Sequence, residues 1–336
     1  MKTRKILALL MAALLIVALA ACSSEPAAPS NDAPAADPAP STEAKVYEIG
    51  ICQLVQHEAL DAATQGFMDT LTAKLGAENV KFDNQNAQGD SNTCATIVNG
   101  FVSSEVDLIM ANATAALQAA AAGTPTIPVL GTSITDYATA LEIENWTGVV
   151  GGNISGTSDL APLDEQAAMI KEMFPDAKTV GLLYCSAEAN SVYQVGVVRA
   201  ELEKLGYTCE EFGFSDSNDV ASVTQNACDA VDVIYIPTDN TAAANTELIA
   251  NVVLPAKTPV VAGEAGICGG CGVATLSISY YDLGVATGEM AYEILVNGAD
   301  ISTMEVQFAA TPTKQYNAAN CEALGITPPA GYAPLG

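Results

Sequence analysis

Six short polar segments each follow directly after an apolar stretch of the chain. They are 53–57, 113–115, 131–136, 186–190, 238–240 and 263–264. Their side chains offer hydroxyls, amides and carboxylates, which are the groups that hold a small polar molecule by hydrogen bonds. Some of these residues also suit the first position of a helix, so capping is the ordinary alternative for Thr114, Ser191 and Asn240.

The elements that would position these segments alternate between strand and helix. We predict strands over 47–54, 80–83, 107–111 and 127–130, separated by helices over 59–75, 93–102 and 115–122. A second set has strands over 179–184, 208–212, 233–236 and 259–262, and helices over 191–205, 220–228 and 242–253. Alternating units with almost continuously apolar strands are typical of parallel sheets covered on both faces.

An internal repeat divides these elements into two sets. Ile49 corresponds to Val180. The Lys-Leu-Gly segment at 74–76, which ends the first long helix, corresponds to the same three residues at 204–206, and Val-Asp at 106–107 corresponds to Val-Asp at 231–232. The offsets lie between 125 and 131 residues. The sequence therefore predicts an α/β protein with two doubly wound, parallel-sheet lobes.

This architecture predicts where a ligand would lie. In open α/β sheets, ligands bind at the carboxyl ends of the strands, beside the amino ends of the helices. The six polar segments occupy these positions in both lobes. We therefore expect them to line a cleft between the lobes.

The amino terminus is typical of an exported lipoprotein. Lys2, Arg4 and Lys5 precede an apolar run over 6–21, which indicates a signal peptide over residues 1–21. Cys22 follows small residues, as in a bacterial lipobox, and would carry the lipid anchor. The proline- and alanine-rich segment 22–44 has the composition of a disordered linker. These features predict an extracytoplasmic, membrane-anchored protein.

The charge balance excludes two classes of partner. The chain has 12 Lys and Arg residues against 39 Asp and Glu residues, a formal net charge of −27. Binding to nucleic acid or to anionic lipid requires clustered basic residues. We therefore expect neither as a ligand, and we interpret the acidity as a contribution to solubility.

Nine cysteines leave the redox state open. Beyond Cys22, disulfides and buried free thiols are both compatible with the sequence, because connectivity cannot be deduced from spacing. Cys268 and Cys271 form one CxxC without a second pair, which is weak for zinc. We interpret this segment as a flexible glycine-rich loop, with a local disulfide as an option.

Several segments of the chain together resemble a known family. Segments 50–57 and 59–63 resemble the opening of the tryptophan/tyrosine-type substrate-binding proteins of ABC transporters, and 86–90, 152–156 and 237–240 resemble later motifs. The resemblance covers residues 46–310 and implies a type I periplasmic-binding-protein fold, an ABC permease as partner and an aromatic amino acid as ligand. Glu58, Ala115 and Tyr137 stand where the family usually has proline.

The resemblance also implies a division of roles among the cleft residues. The ligand's carboxylate would lie at Thr114, Ala115, Thr132 and Ser133, its ammonium at Asp239, Glu188 or Glu264, and its aromatic ring against Tyr137, Tyr193, Leu54 and His57. As a lone histidine, His57 has a structural hydrogen-bonding role as its alternative. The full expected set is Gln53, Leu54, His57, Thr114, Ala115, Thr132, Ser133, Asp136, Tyr137, Glu188, Asn190, Tyr193, Thr238, Asp239, Asn240 and Glu264.

The two lobes would close on the ligand about a hinge of three chain crossings. The resemblance and the repeat imply crossings near 155–159, 275–280 and 300–303. The first lobe would comprise 45–156 and 278–301, and the second 157–277 and 302–336. We expect a monomer that binds its ligand by rotation of rigid lobes.

Other functions are less well supported by the residues. We find no nucleophile elbow, Walker loop or dinucleotide fingerprint, so we expect neither an enzyme nor a cofactor or metal. A sugar or nucleoside ligand stays open, although sugar sites usually recruit several tryptophans and this chain has only Trp146. Surface adhesion is a further alternative.

Overall fold

The computed structural model describes residues 45–308 and 311–335. The expected signal peptide, Cys22 and the expected linker lie outside these residues. Among the described residues, no helix has the length and apolarity needed to cross a membrane.

The first lobe is built on a parallel sheet of six strands. Their order across the sheet is β11-β5-β4-β3-β1-β2, and every pairing is parallel. The strands are β1 (Tyr47–Gln53), β2 (Val80–Asn86), β3 (Leu108–Asn112), β4 (Val129–Ile134), β5 (Ile154–Ser158) and β11 (Gln307–Phe308). The helices of this lobe are α1 (Glu58–Leu75), α2 (Ser91–Ser103), α3 (Thr114–Gly123), α4 (Tyr137–Ala140) and α11 (Tyr280–Leu295), with 3-10 turns at Ala77–Asn79 and Ile301–Thr303.

The second lobe repeats this plan on a seven-stranded sheet. Its order is β13-β12-β10-β9-β8-β6-β7, in which only the β10–β12 pairing is antiparallel. The strands are β6 (Thr179–Cys185), β7 (Thr208–Phe214), β8 (Val233–Ile236), β9 (Val260–Ala262), β10 (Ala274–Ser277), β12 (Thr313–Tyr316) and β13 (Ala333–Pro334). The helices are α5 (Leu163–Met173), α6 (Ala189–Lys204), α7 (Val220–Ala230), α8 (Asn240–Ala244), α9 (Thr246–Ala256), α10 (Ala265–Gly270) and α12 (Ala318–Leu324).

The strand orders confirm the predicted pair of doubly wound lobes. The order 5-4-3-1-2 in the first sheet corresponds to 10-9-8-6-7 in the second. The middle strands are buried along their whole length, as β3, β4 and β8 show. Burial on both faces explains why they contain almost no polar alternation.

The first helix shows how sequence and packing agree. Its apolar side chains Leu60, Ala63, Phe67 and Leu71 recur at helical spacing and are buried. Gly76 ends the helix with a φ of 88°, a conformation that glycine adopts without strain, and its N–H donates to the carbonyl of Thr72 at 3.0 Å. The helix α11, which the chain supplies after its excursion through the second lobe, packs closely against α1.

The chain crosses between the sheets three times. Residues 159–162 lead from β5 to α5, and 278–279 lead from β10 to α11. The third crossing follows Phe308, because β11 still pairs with β5 of the first sheet and Val306 is buried in the first lobe's core. The expectation of a crossing at 300–303, with residues from 302 onwards in the second lobe, is therefore wrong for 302–308. The expected start of the second lobe at residue 157 is wrong for 157–158 as well, because both residues belong to β5 of the first sheet. The other lobe limits remain a proposal.

Two local predictions also differ from the structure. The segment 242–253 is not one helix, because Asn245 leaves helical geometry and separates α8 from α9. The expected glycine-rich loop around Cys268 is the helix α10, in which Glu264 caps the backbone N–H groups of Gly266 and Ile267. Cys268 and Cys271 are buried and free.

Every cysteine in the described part of the chain is a free thiol. Seven are buried and Cys228 is half-buried, and they are distributed over both lobes. The lobes are therefore stabilised by apolar packing around their sheets without cross-links.

Candidate functional site

A cavity lies between the lobes where the carboxyl ends of the two sheets face each other. Its volume is about 10 Å³, roughly the space of one water molecule. The side chains that line it are His57, Leu60, Ser133, Thr135, Asp159, Asn190, Thr238, Asp239, Asn240, Ala243, Glu264 and Tyr280. This position is the one that the doubly wound topology predicts for a ligand.

The first lobe contributes hydroxyls from an irregular end of β4. The register between β4 and β5 shifts between Gly131 and Ile134. Within this bulge Ser133 adopts a φ of 57°, which is uncommon for serine. The Ser133 hydroxyl is buried and has no hydrogen-bond partner in the part of the chain that the structure describes. The bulge therefore holds a donor in the cavity that a ligand can use.

The only described carboxylate with a buried, unpartnered oxygen lies at the hinge. Asp159 follows β5, and its Oδ2 accepts a hydrogen bond of 2.8 Å from the Tyr280 hydroxyl at the start of α11. Its Oδ1 is buried without a partner. Burial raises the pKa of Asp159 above the ordinary aspartate value, whereas the Tyr280 hydroxyl and the nearby Thr135 hydroxyl act in the opposite direction. A cationic group of a ligand would satisfy this oxygen.

The carboxylate expected to bind the ligand's ammonium, Asp239, is fully engaged elsewhere. Its Oδ1 accepts from the N–H of Ala242 at 2.8 Å, so that it caps α8. Its Oδ2 accepts from the N–H of Cys185 at 2.6 Å and from the Ser191 hydroxyl at 2.7 Å. The assignment of the ammonium to Asp239 is therefore not supported by the geometry.

The other two carboxylates proposed for this role are also occupied. Glu188 accepts from the backbone of Asn240 and Thr241 and from both of their side chains, at 2.7–3.0 Å. Glu264 accepts from the N–H groups of Gly266 and Ile267 at the start of α10. Both shape the loops of the second lobe and leave no carboxylate oxygen free for a ligand.

The amides of the second lobe are held in fixed orientations. Asn190 donates to the carbonyl of Thr238 at 3.0 Å. Gln194 donates to the same carbonyl at 3.2 Å and accepts from the Thr238 hydroxyl at 2.8 Å. This network sets the loop after β8 against the start of α6, so the wall of the cavity is preorganised.

Two polar contacts connect the lobes across the cavity. His57 Nε2 lies 3.2 Å from Asn240 Oδ1, and the hydroxyls of Thr135 and Thr238 lie 3.5 Å apart. Burial lowers the pKa of His57, against the opposing effects of Asn240, Glu188 and Asp61. The imidazole is therefore neutral at pH 7.

Several residues expected in the site lie outside this cavity. Gln53 donates to Asp61 and accepts from Thr64, and Thr132 accepts from Thr157, so both connect elements within the first lobe. Leu54, Ala115 and Glu188 line a wider neighbouring groove of about 350 Å³. Thr114 is buried in the first turn of α3.

The expected aromatic wall is also displaced. Tyr137 is buried in the core of the first lobe, where its hydroxyl donates to the carbonyl of Thr157 and its ring stacks on Trp146. Tyr193 lines a surface groove on the second lobe. Asp136 caps α4 through the N–H of Thr139. None of the three lines the cavity.

Five lining residues are absent from the expected set, although Thr135 lies in the expected segment 131–136: Leu60, Thr135, Asp159, Ala243 and Tyr280. Leu60 and Ala243 supply apolar surface, and the Tyr280 ring supplies the aromatic face that was assigned to Tyr137. The signal for Asp159 and Tyr280 was their position at the predicted hinge crossings, which border the cleft on its innermost side.

Among residues 45–308 and 311–335, no group of three or more histidine, cysteine, aspartate or glutamate side chains is arranged to hold a metal ion. Two lobes with matching strand order, a polar cavity between them and three crossings define a two-lobed binding protein of the periplasmic type I fold.

Sequence comparison agrees with this class. The profile of the family described as ABC transporter substrate binding protein matches residues 48–330. The chain therefore belongs to this family. A curated relative from Clostridioides difficile (strain R20291), the "Tyrosine-binding protein", is 36% identical over 298 residues, which cover 88% of this chain and 85% of the relative.

Two solved structures are informative. An ABC domain from Streptococcus pneumonia in complex with L-Trp is 33% identical, has a TM-score of 0.82, and is matched over 86% of this chain and 99% of its own. A ligand-free, open structure of a Clostridium difficile substrate binding protein with adhesive properties is 36% identical over the same shares of the two chains, with a TM-score of 0.65. At similar identity, the overall geometry of this chain is closer to the complex.

Proposed function

We propose that this chain is an extracytoplasmic, lipid-anchored substrate-binding protein of an ABC importer that captures an aromatic amino acid between its lobes. The observation that carries the proposal is the pair of unpartnered polar groups in one cavity, the Asp159 carboxylate and the Ser133 hydroxyl. An α-amino acid offers an ammonium and a carboxylate, which complement these two groups.

The apolar part of the cavity suits the rest of such a ligand. Leu60 and the ring of Tyr280 lie on the lining beside the polar groups. Aromatic rings pack well against such surfaces. The relatives support the same class, since one is named for tyrosine and another holds L-Trp.

We propose that the lobes close on the ligand. The higher TM-score to the complex with L-Trp than to the open relative supports a closed arrangement. The contacts His57–Asn240 and Thr135–Thr238 are the polar bridges that opening would break. Small-angle scattering should then give a smaller radius of gyration with saturating ligand than without it, and identical curves would contradict closure.

Ligand analogues that each lack one group test the assignment of the cavity. We expect L-tryptophan and L-tyrosine to bind to the full-length protein in isothermal titration calorimetry. Tryptamine lacks the carboxylate and indole-3-propionate lacks the ammonium, so both should bind more weakly. Binding of a sugar or a nucleoside, with none of any aromatic amino acid, would contradict the proposed ligand and leave the family unchanged.

The Asp159→Asn variant tests which residue receives the ammonium. Loss of a charge-assisted hydrogen bond weakens binding by about 1.5–3 kcal/mol, which corresponds to roughly tenfold to a hundredfold in the dissociation constant. Asp176→Asn, which removes the same charge from an exposed turn of the second lobe, is the matched control and should bind normally. Indole-3-propionate should not distinguish Asp159→Asn from the wild type, because it has no ammonium.

The anchor is a separate proposal that rests on the sequence around Cys22. Cys22→Ser should abolish lipidation and release the protein from the membrane fraction. An unchanged amino-terminal mass and unchanged membrane retention would contradict the anchor without affecting ligand binding.

Adhesion is a second candidate function, because one structural relative is described as having adhesive properties. Beads that carry the full-length protein should then attach to host cells. Beads that carry the Asp159→Asn variant at equal density should attach less if adhesion requires ligand closure, and equally well if it does not. No attachment above uncoated beads would exclude this function.

A further inference from the structure

The orientation of the Asn240 side chain is fixed by its neighbour Glu188. The Asn240 amide nitrogen donates to Glu188 Oε2 at 2.7 Å, and the backbone N–H of Asn240 donates to the same oxygen at 3.0 Å. A carboxylate can only accept hydrogen bonds. The amide therefore directs its nitrogen towards Glu188 and its oxygen, Oδ1, towards the first lobe.

This orientation determines which nitrogen of His57 carries the proton. Asn240 Oδ1 is an acceptor and lies 3.2 Å from His57 Nε2, so Nε2 must be the donor. Because burial keeps the imidazole neutral, the other nitrogen, Nδ1, has a lone pair and no hydrogen. His57 Nδ1 is buried and has no partner among the described residues, and His57 lines the cavity.

We propose that His57 Nδ1 is a specificity-determining acceptor, which selects aromatic amino acids that carry a hydrogen-bond donor on the ring. The phenol O–H of tyrosine and the indole N–H of tryptophan are such donors, and phenylalanine has none. This inference rests on the proposed function, because it concerns the side chain of the same ligand.

The ligand's ammonium is the other donor that could occupy Nδ1. An ammonium gains more from a carboxylate than from a neutral imidazole, and Asp159 Oδ1 is an unpartnered carboxylate oxygen in the same cavity. With the ammonium at Asp159, the lone pair of His57 Nδ1 is available to accept a hydrogen bond from the donor on the ligand's ring. The cavity then offers Asp159 Oδ1 and His57 Nδ1 as acceptors to two separate donors of the ligand.

A ligand without a ring donor would leave Nδ1 buried and unsatisfied. Sites built around a hydrogen bond reject analogues that lack it, because the buried polar group then has neither water nor ligand as a partner. We expect the wild-type protein to bind tyrosine at least about tenfold more tightly than phenylalanine. Tryptophan should be preferred by a similar factor over 3-benzothienyl-L-alanine, which has sulfur in place of the indole N–H and nearly the same shape.

Two substitutions at position 57 separate the two ring nitrogens. In His57→Gln the side-chain amide can still donate to Asn240 Oδ1 but places no acceptor where Nδ1 was. In His57→Asn the shorter carbonyl oxygen takes the position of Nδ1, and nothing reaches Asn240. The first variant therefore removes the proposed acceptor, and the second removes the contact between the lobes.

The experiment is titration calorimetry of the full-length wild type and both variants with the four ligands. We expect His57→Gln to reduce the preference for the ring donor to below about threefold, and His57→Asn to weaken all four ligands while the preference persists. Wild-type protein that binds the donor-bearing and donor-free ligands equally would overturn the inference without any variant, and the proposed function would stand.

Two further outcomes are decisive. If His57→Gln weakens all four ligands by the same factor, Nδ1 receives the ammonium and the inference is wrong. If the wild type binds none of the four ligands, both the inference and the proposed ligand class are wrong.

Discussion

Asp159 and Tyr280 join two of the three chain crossings by a hydrogen bond of 2.8 Å between side chains 121 residues apart. Asp159 follows the last long strand of the first sheet, and Tyr280 begins the helix that returns to the first lobe. Both side chains are buried and both line the cavity. The cavity lining and the hinge therefore share one residue pair.

Tyr280→Phe should destabilise the protein and weaken ligand binding. Removing the hydroxyl leaves Asp159 Oδ2 without its partner, and an unsatisfied buried group costs about 1–3 kcal/mol. Urea unfolding measures the stability and calorimetry the affinity. Tyr281→Phe is the matched control, because the adjacent Tyr281 is exposed and bonds to the exposed Asp69, so it should change stability by less than about 0.5 kcal/mol. Equal effects of the two substitutions would contradict a special role for Tyr280.

Ligand affinity should decrease on acidification from a higher pH than an ordinary aspartate would allow. Burial raises the pKa of Asp159 above the usual value of about 3.9, and protonation removes the charge that attracts the ammonium. The hydroxyls of Tyr280 and Thr135 act against this increase, but burial is the larger effect and the pKa stays raised. Titrations between pH 4 and pH 8 should show a larger decrease in the wild type than in Asp159→Asn, in which Asp239 and Glu264, whose pKa values burial raises to about 7, still titrate on the cavity lining. A wild-type profile that is flat down to pH 4 would exclude Asp159 as the ammonium's partner.

Gly284→Ala should be strongly destabilising. A Cβ at Gly284 would lie 2.0 Å from the carbonyl oxygen of Ala63, so α1 and α11 could not keep their close approach. Overpacking of this kind costs about 1–3 kcal/mol, occasionally more. Gly196→Ala is the control within another helix, since a Cβ there meets nothing within 4 Å, and should stabilise by up to about 1 kcal/mol. Thermal unfolding of both variants checks the prediction, and a neutral Gly284→Ala would show that the two helices can separate freely.

Stability should depend on pH through Glu264. Burial raises the pKa of this carboxyl group to about 7, with smaller increases from Glu58 and Asp159, whereas the unfolded chain has a value of about 4.3. Between these values the folded state holds the proton more tightly. This contribution to stability is complete below about pH 4 and is lost as the pH rises through about 7.

Glu264→Gln should remove this pH dependence. The difference in unfolding free energy between variant and wild type should change by roughly 2–3 kcal/mol between pH 4.5 and pH 7.5, in favour of the variant at the higher pH. Glu165→Gln, at an exposed position of α5, should show no such change. Parallel curves for Glu264→Gln and the wild type would show that Glu264 titrates normally in the folded state.

The lobes could be predicted from the sequence because their strands are buried on both faces. Segments such as Leu108–Asn112 and Val233–Ile236 have an almost purely apolar composition. The internal repeat then showed which strands and helices of the first lobe correspond to those of the second. The prediction of one helix over 242–253 was wrong because asparagine is tolerated within a helix and also favoured immediately before one. Only tertiary packing decides between these two roles for Asn245.

The roles of the carboxylates could not be predicted in the same way. Asp239, Glu188 and Glu264 lie in cleft loops, as expected, but hydrogen bonds to backbone N–H groups of the second lobe use their oxygens. Asp159 was missed because it follows a strand that leads to the other lobe and not to a helix of the same lobe. Which carboxylate keeps an oxygen free depends on contacts between residues far apart in sequence.

The buried free thiols allow local unfolding to be measured by their rate of alkylation. Alkylating reagents react with exposed thiolates, and burial both hides the sulfur and, at Cys209, raises the pKa to about 11. Labelling then requires a transient opening, so its rate measures the free energy of that opening. With Cys52 in the first sheet and Cys209 in the second, mass spectrometry of labelled peptides would give the stability of each lobe separately, in unmodified protein and in a single experiment.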